Sequence, residues 1–142
     1  MTSTRPEVET LLDRQRDAIQ AKDLDGLMSL YSAQVVYFDV VPPLQYVGAP
    51  ALRGRFSRWF DGFRGALHAE VRELDISATG DMAVAHWLSK VTGTLQNGRD
   101  VGSWVRATSC FERAGDTLLI THEHISLPVE PASGQAAIGL QP

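Results

Sequence analysis

The chain has 142 residues, a formal net charge of −4 and 44% hydrophobic residues, which is typical of one globular domain with a real core. It contains no basic run and no apolar run near ~20 residues, so we expect neither a nucleic-acid nor a membrane partner. The single cysteine, Cys110, excludes a disulfide within the chain and is typical of a reducing cytosol, so we expect a cytoplasmic protein.

Two helices are predicted at the start of the chain. The first carries an apolar stripe at helical spacing, made of Val8, Leu11, Leu12, Ala18 and Ile19. Gln15 falls inside this stripe, and a buried amide needs hydrogen-bond partners, which a polar pocket would supply. Asp23 can cap a second, short helix.

A strand follows, predicted over residues 34–40 from the β-branched and aromatic run QVVYFDV. Pro42 and Pro43 end it, and a third helix is predicted over residues 50–62. Asp39 lies at the end of the strand among large apolar neighbours, where a partly buried carboxylate is suited to act as a general base. The alternative is a carboxylate that caps the turn before Pro42.

From residue 66 onward the pattern is β. Four strands are predicted, joined by turns at TGD (79–81), Asn97-Gly98 and RAGD (113–116). An antiparallel meander with helices on one face predicts an α+β fold, a cone-shaped curved antiparallel sheet wrapped around the N-terminal helices. We expect one domain over residues 1–128 and a small, polar C-terminal tail over residues 129–142.

Two histidines flank a glutamate in the last strand, in the run ITHEHISLP (120–128). On a strand, His122 and His124 point to one face and Glu123 to the other. The histidines could relay protons or orient a carbonyl substrate. They could also bind a metal with a carboxylate, although no metal-binding spacing is present, or simply close one end of a barrel.

The register of the RAGD hairpin decides which residues share the histidine face. A three-residue loop that ends at Gly115 would place three side chains there, namely Trp104, Arg106 and Thr108. A two-residue turn would bring Ala107 and Ser109 there instead. Gly115 suits the left-handed last position of the longer loop, so we favour the first interpretation.

The Asn97-Gly98 hairpin sets the face of the preceding strand. A two-residue loop would place Trp87 on the Arg106 face, and we favour this interpretation, whereas a bulged loop would place His86 and Lys90 there. A buried Arg106 would need a partner, either a carboxylate such as Asp39 or an anionic ligand.

The segment AIQAKDLDGLMSLYSAQVVYFDVVPPLQYVGAPALR resembles the nuclear transport factor 2-like superfamily, within its ketosteroid isomerase and SnoaL-like branch. The ending WVRATSCFER…GDTLLITHEHISLPV resembles bacterial SnoaL-like proteins. The resemblance covers residues 7–128 and implies the cone fold. Scytalone dehydratases are similar at fold level only, with comparable chemistry offered by Tyr31, Tyr37, Asp39, His122 and His124.

Alignment on the DLDG turn implies that Asp39 matches the general base of ketosteroid isomerases. The oxyanion-hole tyrosine of that family aligns with Gln15, and its protonated aspartate aligns near Thr108. Because both residues differ here, the resemblance argues against steroid isomerisation by the same means.

We therefore predict a pocket between the sheet and the helices, formed by Gln15, Tyr31, Tyr37, Asp39, Trp87, Trp104, Arg106, Thr108, His122 and His124. The hypothesis is a cofactor-independent and metal-independent isomerase, cyclase or dehydratase of secondary metabolism, acting on a small apolar carbonyl-containing molecule. Asp39 would remove a proton, and a histidine with Arg106 or Gln15 would stabilise the enolate. The alternative is a non-catalytic small-molecule-binding or dimeric assembly domain. In either case we expect a homodimer formed through the outer face of the sheet.

Overall fold

A computed structural model describes residues 4–142 of the chain. Its elements follow in the order α1 (Thr4–Ala21), α2 (Leu24–Met28), β1 (Tyr31–Phe38), β2 (Tyr46–Val47), α3 (Ala49–Asp61), β3 (Phe63–Thr79), β4 (Met82–Leu95), β5 (Asp100–Ala114) and β6 (Thr117–Ser126). The strands form one curved, unclosed sheet in the order β2-β1-β6-β5-β4-β3. The predicted α+β fold is confirmed. No helix within the described residues is long and apolar enough to cross a membrane.

The predicted meander of β3 to β6 is antiparallel throughout. β1 lies parallel to β6, and its Tyr37 pairs with Glu123. The short strand β2 was not predicted, because two residues are too few to show an alternating pattern. The parallel pairing places Phe38 beside His124, so Asp39 follows near the C-terminal end of β6.

Helix α1 lies along β3 and closes the concave side of the sheet. Near its start, the Thr4 hydroxyl donates to the Gly80 carbonyl at 2.7 Å, and near its end, the Gln20 side chain accepts from the Ala69 amide at 3.1 Å. Val8, Leu11 and Ala18 of its stripe are buried, Leu12 and Ile19 are partly buried, and Gln15 is buried among them. The Asp23 carboxylate caps α2 by accepting from an amide at 3.0 Å, also as predicted.

The RAGD turn has two residues rather than the three that we predicted. Ala114 pairs with Thr117, which leaves Gly115 and Asp116 as the turn, with Gly115 at φ +63°. Glycine occupies this left-handed conformation without strain, so it suits the shorter turn as well as the longer one.

The shorter turn alone would place His122 opposite Ser109, but a β-bulge at Thr121 shifts the pairing of β6 by one residue. Phe111 pairs with Ile120, whereas the preceding Cys110 pairs with His122, so Thr121 has no partner on β5. One extra residue moves every later side chain of β6 to the opposite face. The face of His122 is therefore set by the bulge and not by the turn alone.

The Asn97-Gly98 hairpin adopts the longer loop, contrary to our prediction. The Leu95 amide donates to the Arg99 carbonyl at 2.8 Å across three loop residues, and Gly98 has φ +87°. Lys90 consequently pairs with Trp104. Trp87 pairs with Ala107, so the prediction that Trp87 shares a face with Arg106 is wrong.

The C-terminal segment beyond β6 forms a small turn of its own. Val129 bridges to Ala136, and the Glu130 amide donates to the Gln135 carbonyl at 2.8 Å. Ile138 and Leu140 are exposed. The division into a domain over residues 1–128 and a tail stays a prediction.

Candidate functional site

A cavity of about 580 Å³ lies between the concave face of the sheet and helices α1 and α3. This volume is in the range of small-molecule binding sites. Its walls are largely apolar and include Leu12, Ile19, Phe56, Trp59, Val71, Trp87, Val91 and Val101. The cavity can therefore hold a ligand that is mostly hydrocarbon, and the few polar side chains in it become the groups that orient such a ligand.

Half of the residues predicted from the sequence line this cavity. They come from α1, from β1 and the residue that follows it, and from β4, and are Gln15, Tyr31, Tyr37, Asp39 and Trp87. Trp87 lies on the inner face because the β4–β5 loop has three residues. The sequence pattern thus located the cavity on the correct helices and on the correct first strand.

The other half lies on the outer face of the sheet, and their predicted placement in the pocket is wrong. They are Trp104, Arg106, Thr108, His122 and His124. The predicted grouping holds, since Thr108 pairs with His124 across the strands. Trp104, Arg106 and Thr108 face outward because the two-residue turn leaves Ala107 and Ser109 on the inner face of β5. His122 and His124 face outward because of the bulge at Thr121.

The outer-face histidines contact β1 rather than a ligand cavity. The His122 Nδ1 atom lies 2.7 Å from the Val36 carbonyl oxygen. The Phe38 ring packs edge-on against both His122 and His124, with centroid distances of 4.7 and 5.3 Å. Arg106 donates to the Ser126 hydroxyl at 3.0 Å and does not pair with an aspartate.

The glutamate between the histidines is the polar centre of the cavity. Glu123 is only 3% exposed. The Tyr31 hydroxyl donates to its Oε1 at 2.7 Å, and the Ser109 hydroxyl donates to its Oε2 at 2.5 Å. The Gln15 amide donates to Oε2 at 3.0 Å and to the Tyr31 oxygen at 3.0 Å. The buried amide of Gln15 thus has the polar partners that its position in α1 predicted.

Burial is the main influence on the protonation of this cluster. It raises the pKa of Glu123 above the ordinary value, against the hydrogen bonds from Ser109, Tyr31 and Gln15, which lower it. Burial and the nearby Glu123 charge raise the pKa of Tyr31 and of Tyr37 well above the usual range. The tyrosines therefore remain hydrogen-bond donors, and the carboxyl group is poised to exchange a proton closer to neutral pH.

Sequence reasoning missed Glu123, although one signal pointed to it. The residues of β5 that pair with this end of β6 and face the same way are small, namely Ala107 and Ser109. Small residues on one face of a central strand leave room for a cavity, and a single glutamate opposite them would lie inside it. The regular alternation around the histidines concealed this pattern.

Asp39 lines the cavity as predicted, but its partner was not predicted. The Arg55 guanidinium on α3 donates through Nε to Oδ2 at 2.7 Å. The Val40 amide donates to Oδ1 at 2.7 Å. The Asp39 carboxylate therefore already has a cationic partner on α3, which Glu123 does not have among its hydrogen-bond donors.

The remaining charged side chains come from the exposed side of α1. Arg16 pairs with Asp13 at 3.3 Å, and Glu9 lies one turn earlier. Across residues 4–142, no three or more His, Cys, Asp or Glu side chains are grouped to hold a metal ion. The chemistry visible in the cavity is that of carboxyl, phenol, amide and hydroxyl groups.

Comparison with known proteins identifies relatives of this architecture. A family model described as the SnoaL-like domain matches residues 8–130. A nuclear transport factor 2-like protein of unknown function from Pseudomonas putida has a similar structure, with 28% identity over 100% of both chains and a TM-score of 0.88. No protein with a curated description matches.

Two more distant structures show how varied proteins of this fold are. A putative dehydratase of the same superfamily from Streptomyces avermitilis has 19% identity over 89% of this chain and 97% of its own, with a TM-score of 0.77. The association domain of the calcium/calmodulin-dependent kinase II of Caenorhabditis elegans has 18% identity over 87% of this chain and 95% of its own, with a TM-score of 0.70. These two similarities concern the fold alone.

Proposed function

The chain belongs to the SnoaL-like domain family of the nuclear transport factor 2-like superfamily, and from this premise we propose that it is a cofactor-independent enzyme that moves a proton next to the carbonyl group of a small, largely apolar compound. Isomerisation, aldol-type cyclisation and dehydration can all begin with that step. The observation that carries the proposal is a buried carboxyl group of raised pKa inside an apolar cavity. The proposed role in secondary metabolism follows from the family resemblance, and the proposed cytoplasmic location follows from the single cysteine.

Glu123 is the proton acceptor in this proposal. Its carboxylate takes a proton from the carbon beside the carbonyl, and the electron pair moves to the carbonyl oxygen to give an enolate. Tyr37 supports this step, because its hydroxyl lines the cavity and bonds to no other described residue, so it can donate to the enolate oxygen. The Glu123 carboxylic acid then returns the proton to the same or another carbon.

Tyr31 and Gln15 position the carboxyl group. Their hydrogen bonds to Glu123 fix its orientation and lower its pKa, against the larger effect of burial. Asp39, the base assigned from the sequence, is the second candidate. Its bond to Arg55 makes it the weaker one.

The proposal is tested by deuterium exchange. Purified protein in deuterated buffer should speed the loss of the proton signals beside the carbonyl of 2-tetralone, an uncharged bicyclic ketone, as followed by nuclear magnetic resonance. Ala107→Phe places a ring in the cavity and should return the rate to that of buffer, because Ala107 is 2% exposed and lines the wall. Ala51→Phe, at an exposed site on α3, is the matched control.

Two results would contradict the proposal. The first is a wild-type rate equal to that of buffer across a panel of uncharged cyclic and aryl ketones. The second is full exchange by the folded Ala107→Phe protein, because the reaction would then lie outside the cavity.

A non-catalytic binding or assembly domain is the alternative proposal. The kinase association domain named above supports it, since that protein shares the fold. The outer face of the sheet also carries half-buried Phe38, Trp104 and His122, which a homodimer would cover. Such a domain would bind a ketone without exchanging its protons, so the same experiment separates the two proposals.

A further inference from the structure

We infer that the ligand of this cavity is uncharged and elongated, with one oxygen at the Glu123 end and a second oxygen that binds a pair of serines on β4 and β5. The inference rests on the proposed function for the use of the cavity, but not on proton transfer. It names a second polar subsite, formed by Ser89 and Ser103.

The two serines are the polar side chains in the part of the cavity wall that β4 and β5 form. Both line the cavity, and neither hydroxyl bonds to another residue in the described part of the chain. Ser89 pairs with Val105, and Ser103 pairs with Val91, so the serines are diagonal neighbours on one face. Diagonal neighbours lie ~7–8 Å apart, close enough for one polar end group to contact both. Two hydroxyl groups without a protein partner on a hydrophobic wall are suited to bind a ligand oxygen.

The strand geometry sets the distance between the two polar ends. Ala85 of β4 pairs with Ser109, which bonds to Glu123, and Ser89 lies four residues further along β4. Four residues of a strand span ~13 Å. The wall between these ends carries Trp87 and Ala107, so the middle of the ligand is apolar and flat enough to lie on an indole ring.

The charges around the cavity argue against an anionic ligand. Among the described lining residues, Arg16 and Arg55 are the cations. Arg16 pairs with Asp13, and Arg55 pairs with Asp39. An anionic ligand would therefore find no unpaired cation and would face the Glu123 charge, so an uncharged ligand is favoured.

Two fluorescent probes of equal shape test the second subsite. 4,4′-Dihydroxystilbene carries an oxygen at each end, and 4-hydroxystilbene carries one at a single end. The wild-type protein should bind the first about 3- to 10-fold more tightly, the gain of one or two uncharged hydrogen bonds. In Ser89→Ala/Ser103→Ala the ratio of the two dissociation constants should fall to about one, since the second oxygen loses both partners. Ser77→Ala, at an exposed serine on β3, should keep the wild-type ratio.

An unchanged ratio in the double variant would overturn the inference, as would failure of the wild-type protein to bind either stilbene. Equal or tighter binding of 4-hydroxystilbene-4′-carboxylate than of the dihydroxy probe would overturn the uncharged-ligand part. If the ratio falls as expected but no ketone exchanges deuterium, then the proposed enzyme fails while the subsite stands.

Discussion

Glu123→Gln should lower the rate of ketone deuterium exchange by about 100- to 10,000-fold, the usual contribution of a positioned general base. Glutamine has nearly the same shape as glutamate and keeps an oxygen that can accept from Tyr31, but it cannot accept a proton from carbon. The wild-type rate should rise as pH increases through the raised pKa of Glu123, because only the carboxylate is active. Circular dichroism and thermal melting would show whether the variant remains folded.

Two further variants test whether the loss of exchange is specific to Glu123. His124→Ala changes the residue directly after Glu123, which lies on the outer face, and should leave the rate unchanged. Asp39→Asn should reduce the rate less than Glu123→Gln does. A larger loss in Asp39→Asn, with activity retained in Glu123→Gln, would assign the base to Asp39 and would contradict the assignment to Glu123.

Phe111→Ala should lower the free energy of unfolding by about 3–5 kcal/mol, the range measured for truncation of a fully buried aromatic side chain. Phe111 is 0% exposed and lies on the inner face of β5, next to the position of Ser109. Its loss would leave a cavity under the Glu123 cluster that rigid strands on both sides cannot fill.

Urea denaturation monitored by tryptophan fluorescence would measure the change. Val84→Ala is the control, because Val84 lies on the outer face of the adjacent strand and is 42% exposed. It should change the free energy of unfolding by about 0.5 kcal/mol or less. Similar losses in both variants would mean that the assignment of inner and outer faces is wrong.

The architecture was predictable because its signals are long and periodic. The buried stripe of α1 and the runs of β-forming residues extend over whole elements, and the family resemblance fixed their arrangement. Gln15 and Tyr37 were assigned to the pocket for this reason. One wrongly assigned residue in such a long pattern does not change the predicted helix or strand.

The face of β6 was not predictable in the same way, because it depends on one residue. Strands alternate with period two, so an unrecognised bulge at Thr121 exchanged the histidines for Glu123. Threonine is common in regular strands, so the residue type at position 121 does not indicate a bulge. The partner of Asp39 was missed for a different reason, since Arg55 comes from a helix whose rotation about its axis the sequence does not determine.

The most direct test of the account is the pKa of Glu123 in the free and ligand-bound protein. Protein labelled with carbon-13 at the glutamate carboxyl groups, with Glu123→Gln used to assign the signal, would be titrated by nuclear magnetic resonance. We expect a midpoint above the ordinary value of 4.5, and a further rise when 2-tetralone displaces water from the cavity. A midpoint at or below 4.5 that the ketone does not move would contradict the claim that Glu123 is the buried acid–base group of this cavity.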